Sequence, residues 1–134
     1  WRIYSQTKYS TILETIYENV FFFTEKPAKV LYGKRIFVAF ACHHYLKQMR
    51  ELLGFKTFDG IIDESYDLEL DDVKRIEAVT RLLKDLDNLS VAERNSIHQA
   101  CLPIVEHNYN HFYRGGFEQI LWQELQGMLN EFRI

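Results

Sequence analysis

Ile36-Phe37-Val38-Ala39-Phe40-Ala41 is an uninterrupted apolar run bounded by Gly33-Lys34-Arg35 on one side and Cys42-His43-His44 on the other. A run this short, rich in β-branched and aromatic residues, reads as a strand covered on both faces, as a strand inside a parallel sheet is. A parallel strand needs a crossover helix and a preceding strand, and both have signals. Tyr9-Ser10-Thr11-Ile12-Leu13-Glu14-Thr15-Ile16 fits a short strand. Thr24 is a plausible N-cap, Glu25 suits the positive end of a helix dipole, and Pro27 is tolerated in a first turn. That helix runs to Tyr32 and stops at Gly33. Between them, Tyr17-Glu18-Asn19 reads as a turn, and Val20-Phe21-Phe22-Phe23 is either a strand or a buried loop.

After the apolar run, Cys42-His43-His44 is a loop, and Tyr45, Leu46, Met49, Leu52 and Leu53 line one side of a helix that ends at Gly54. Phe55-Lys56-Thr57-Phe58 reads as a short edge strand. The order strand, loop, helix, strand, helix, strand predicts an α/β fold with a small parallel sheet of about three strands. Residues 59–72 read as an acidic loop with a short turn. Residues 70–134 read as helical. Asp71 or Asp72 starts one helix, Ser90-Val91-Ala92-Glu93 is a capping box for the next, Pro103 is expected to kink it, and Gly115-Gly116 breaks it. A last helix presents Phe117, Leu121, Leu125, Met128 and Phe132. The 134 residues predict one domain, with residues 9–58 forming the sheet and residues 70–134 the helical part.

A hydrophobic fraction of 47% excludes a disordered chain, and a net charge of -3 gives no reason to expect nucleic acid as a partner. The charge is uneven. Residues 1–50 hold eight Lys and Arg against three Glu, and residues 51–72 hold eight acids against Lys56 alone. A basic segment that carries strand-to-helix loops suits a phosphate ligand; it also suits a plain solvated face. Cys42 and Cys101 lie far apart without metal spacing and read as reduced thiols of an intracellular, cytoplasmic protein. No apolar run approaches the ~20 residues of a membrane span. The chain begins at Trp1, from which a longer gene product is expected.

Three groups of residues carry chemistry. Thr24-Glu25-Lys26 opens a helix at the carboxyl end of a strand, with Lys29, Lys34 and Arg35 close in sequence. Free N–H groups and a first-turn lysine can hold a phosphate, and a carboxylate can accept ribose hydroxyls. The same triplet can equally be a plain helix cap. Glu14, near the end of its strand, either faces solvent or points into a site there. His43 and His44 sit where a catalytic base would lie, and His107 and His111 share a helix face. His107-Asn108-Tyr109-Asn110-His111 lacks the carboxylate of a zinc-protease helix, so no metal is expected. The acidic run from Asp63 to Asp72 lacks calcium-loop spacing and reads as a solvated connector.

Leu13-Glu14-Thr15, Phe23-Thr24-Glu25-Lys26 and Gly33-Lys34-Arg35-Ile36-Phe37-Val38 together resemble the donor-binding segment of fucosyltransferase-type glycosyltransferases. Leu53-Gly54-Phe55-Lys56-Thr57-Phe58 with Ile62-Asp63-Glu64-Ser65-Tyr66-Asp67 resembles a group of phage and bacterial glycosyltransferase-like proteins. The resemblance covers residues 9 to 85 and departs from the family pattern at Thr15, Pro27, Arg35-Ile36 and Ala41-Cys42-His43-His44. It implies a Rossmann-like fold, the nucleotide-binding half of a two-domain GT-B enzyme. It implies that Glu25 contacts the ribose and Lys26 the phosphate of a GDP- or UDP-linked sugar, with Glu14 matching the family's strand-end Glu; Thr24 and Lys29, close in sequence, complete the candidate site. It implies metal-independent transfer without a cofactor; the candidate base, His43, rests on its position at a strand end and not on the resemblance. Each GT-B domain needs on the order of 150 residues, so an acceptor domain is expected outside this chain. A second expectation, from another class, is a non-catalytic interaction domain that dimerises or packs on a partner through its C-terminal helices.

Overall fold

The computed structural model describes Thr7, residues 9–14 and residues 20–131. Two strands, β1 (Tyr9–Leu13) and β2 (Ile36–Phe40), pair in parallel, with Tyr9 opposite Ile36 and Leu13 opposite Phe40. Helix α1 (Glu25–Tyr32) crosses between them. Every residue of β2 is buried, as its unbroken apolar run requires. On β1 only Ile12 is buried, while Leu13 stays half-exposed, which marks an edge. Helix α2 (Tyr45–Glu51) follows β2, and a single turn of 3-10 helix, Ser65–Leu68, precedes three long helices. These are α3 (Asp72–Asn88), α4 (Val91–Tyr113) and α5 (Gly116–Glu131). The fold is therefore α/β, with its sheet near the N-terminus and its long helices in the C-terminal half. No described helix is long and apolar enough to cross a membrane.

Helix ends follow local chemistry. The Thr24 hydroxyl accepts the Lys26 N–H as N-cap of α1, and the Asp71 carboxylate accepts the Val73 and Lys74 N–H groups, which makes Asp71 the cap of α3. Both halves of the Ser90–Glu93 capping box are formed. Helix α4 runs through Pro103 without interruption.

Two expectations are corrected, and one open alternative is decided. Phe55–Phe58 is not a strand, and the described sheet has two strands. Its backbone groups are taken by side chains. Asn108 accepts the Lys56 N–H at 2.8 Å through its carbonyl and donates its amide N–H to the Lys56 carbonyl at 2.8 Å. Glu64 accepts the Phe58 N–H at 2.6 Å. Val20–Phe23 forms no strand either. Phe21 and Phe23 pack against the core, whereas Val20 and Phe22 are half-exposed. The acidic run is not a solvated connector. Tyr66 and Asp67 are buried, and the Asp67 carboxylate accepts the Leu46 and Lys47 N–H groups at 2.9 and 3.1 Å, so it caps α2 from a distant segment. Thr15, Ile16, Tyr17-Glu18-Asn19 and Phe132 lie outside the described residues.

Gly116 opens α5 against the ring of His111, whose Nε2 is 2.7 Å from the Leu53 carbonyl oxygen. A Cβ at residue 116 would overlap that ring. Gly116→Ala is therefore expected to cost about 1–3 kcal/mol, because the clash outweighs the helix propensity gained. Urea unfolding of the variant measures this.

Candidate functional site

Glu14 follows the last residue of β1, and its N–H extends the ladder to the Phe40 carbonyl at 3.0 Å. Its side chain is turned inward and only 4% exposed. A buried carboxylate must be matched by donors or a cation, and Glu14 has both. The Thr24 hydroxyl lies 2.9 and 3.0 Å from its two oxygens, the Tyr45 hydroxyl 3.4 Å from Oε1, and Lys26 Nζ 3.7 Å from Oε2. Thr24 thus serves two partners, donating to Glu14 while capping α1. Tyr45 stands at the first position of α2, so the two helices that leave the sheet each send one hydroxyl to the same carboxylate.

Glu14, Thr24 and Tyr45, but not Lys26, line a cavity of about 210 Å³ together with Val20, Phe22, Ala41 and Cys42. It lies beyond the carboxyl ends of β1 and β2, where α/β sheets place their ligands. Burial, then the charge of Glu14, pushes the Tyr45 hydroxyl well above the ordinary tyrosine range, so it stays a neutral donor. Burial foremost, then the charge of Asp67, raises the Cys42 thiol, which makes it a poor nucleophile. The floor at Ala41 is held from behind by Arg75. This guanidinium is 1% exposed and donates from Nε to the Ala41 carbonyl at 2.9 Å, from Nη1 to the Glu69 carbonyl at 2.6 Å, and from Nη2 to Asp72.

Three of the residues singled out in the sequence, Glu14, Thr24 and Lys26, therefore converge. Glu25 and Lys29 do not join them; both are exposed on α1 and neither lines the cavity. His43 is half-buried with its ring 3.6 Å from that of His44, and it does not line the cavity. Tyr45 and Phe22 were read from the sequence only as apolar packing. The available signal was position, because Tyr45 opens the helix after β2 and Phe22 immediately precedes the Thr24 cap region.

A larger groove of about 530 Å³ runs along Asp59–Leu68 with Arg50 on its wall. Its principal carboxylates already have structural partners. Glu64 accepts from Phe58 N and Thr57 and pairs with Arg50 at 3.1 Å, and Asp67 caps α2. The smaller cavity is the candidate site because it lies beyond the carboxyl ends of both strands, where Glu14, Thr24 and Tyr45 meet. Among the described residues no group of three or more His, Cys, Asp or Glu side chains is arranged to hold a metal ion. His107 and His111 stack at 5.9 Å, and His111 is occupied with Leu53. No family model, no curated protein and no solved structure matches the chain.

Proposed function

We propose that this chain is the donor-binding part of a glycosyltransferase and takes a nucleoside-diphosphate sugar at the carboxyl ends of β1 and β2. One observation carries this reading: the Glu14 carboxylate, a lysine and two hydroxyls meet beside a cavity at the start of α1. A cavity of about 210 Å³ suits one hexose-sized group and is too small for a whole sugar nucleotide. The sugar enters it, and the diphosphate lies outside over the first turn of α1. There Lys26 supplies a point charge beside the helix N–H groups. Glu14 then accepts sugar hydroxyls, and the neutral Tyr45 hydroxyl donates. Glu25, exposed on the same turn, accepts ribose hydroxyls in this reading. The half-exposed Phe22 ring offers a face to the ligand at the cavity mouth.

Calorimetric titration with GDP and UDP tests this. Lys26→Ala is expected to weaken nucleotide affinity by more than about tenfold, that is by more than about 1.4 kcal/mol. An affinity unchanged in Lys26→Ala removes the proposed role of Lys26.

A further inference from the structure

Helix α5 has no buried residue over Gly116–Glu131. It is tied to the body at its start, where the Phe117 ring packs 5.1 Å from Phe23 and 5.4 Å from Phe55. Beyond that point Leu121, Trp122, Leu125, Met128 and Leu129 are 44–56% exposed. Their spacing puts them on one side of the helix. Gln119, Gln123, Gln126 and Asn130 take the opposite side. A contiguous apolar stripe of this size on a free helix face marks an interaction surface. The helix also carries Glu118, Glu124 and Glu131 and no Lys or Arg, so its partner has to be apolar with a basic edge.

This chain presents such a surface elsewhere. Helix α3 buries Arg75, Val79 and Leu86 against the body. Its outer side exposes Val73 and Ile76, and the same open face continues along Glu77, Thr80, Arg81 and Lys84. Arg81 and Lys84 give this face a positive end, with Glu77 its one acid. The two helices also match in length. At ~1.5 Å per residue, the 16 residues of α5 and the 17 of α3 both span about 25 Å.

We propose that two copies of this chain associate as a two-fold dimer in which α5 of each copy lies along the outer face of α3 of the other. The apolar stripe of α5 covers Val73 and Ile76. Glu124 and Glu131, seven residues apart and so on one edge of α5, meet Arg81 and Lys84. Reciprocal use of the same two patches closes the assembly at two copies.

Sedimentation velocity of the full chain, from about 1 to about 200 micromolar, tests this. The expected result is a monomer–dimer equilibrium with no larger species. Leu125→Asp should abolish the dimer, and the double change Glu124→Lys with Glu131→Lys should weaken it at least about tenfold. Adding Arg81→Glu and Lys84→Glu to that double variant should restore it, since the opposite charges again meet. All these positions are exposed, and far-UV circular dichroism of each variant should be unchanged. A chain that is monomeric throughout, a dimer indifferent to Leu125→Asp, charge reversal without rescue, or open-ended oligomers would each overturn the proposal.

Discussion

Arg75→Ala is expected to lower the unfolding free energy by about 3–5 kcal/mol, the largest effect of any single substitution considered. Arg75 is 1% exposed yet carries a full guanidinium, which is tolerable only because three acceptors surround it. Its removal leaves the Ala41 carbonyl, buried at the end of β2, without its donor and opens a void between α3 and the sheet. Most of the cost is the penalty of stranded buried groups, because the Asp72 half of the ion pair is itself half-exposed. Arg75→Lys should recover only part of the loss, since a single ammonium cannot reach acceptors on both sides as the planar fork does. Urea unfolding followed by tryptophan fluorescence and circular dichroism measures both variants. Loss below about 1 kcal/mol in Arg75→Ala would contradict the role assigned to the guanidinium.

Asn108→Ala is expected to cost about 2–4 kcal/mol. Asn108 is 2% exposed on α4, and its amide brackets the Lys56 peptide as a neighbouring strand would, donating to the carbonyl and accepting from the N–H. Two hydrogen bonds are lost together and a cavity forms where α4 meets the 55–58 segment. Asn108→Asp separates the contributions, since a carboxylate still accepts from Lys56 N but cannot donate to its carbonyl. The second carboxylate oxygen would then face the buried Lys56 carbonyl without a donor, so Asn108→Asp should cost at least as much as Asn108→Ala. Hydrogen exchange at the Lys56 amide should quicken in Asn108→Ala.

These two residues also show where the sequence stops being informative. Features with local causes were legible: the five apolar residues of β2, the Thr24 cap two residues before the N–H it accepts, and the Ser90–Glu93 box. Phe55–Phe58 was misread because two aromatic residues around Lys56 and Thr57 suit a strand and a side-chain-bracketed segment equally, and the deciding partner lies 52 residues away. The acidic run was misread for the same reason. Asp67 is charged, which favours solvent, but its carboxylate closes the N-terminus of α2 about 20 residues upstream. At the candidate site, Glu14, Thr24 and Lys26 were each singled out in the sequence, and the burial of Glu14 excludes its solvent-facing reading. Tyr45 was not foreseeable as a partner, because its bond to Glu14 spans 31 residues and its apolar role in α2 already accounted for it.

The most direct measurement is a two-dimensional amide spectrum of isotopically labelled protein, recorded during titration with GDP and with UDP. The account predicts that one of them shifts the amides of Thr24, Glu25 and Lys26 at the start of α1, and those of Ala41, Cys42 and Tyr45 after β2. It predicts little change along Asp59–Leu68. Shifts confined to the Asp59–Leu68 groove, or no shift with either nucleotide at millimolar concentration, would contradict the assignment of a nucleotide-sugar site to the ends of the two strands.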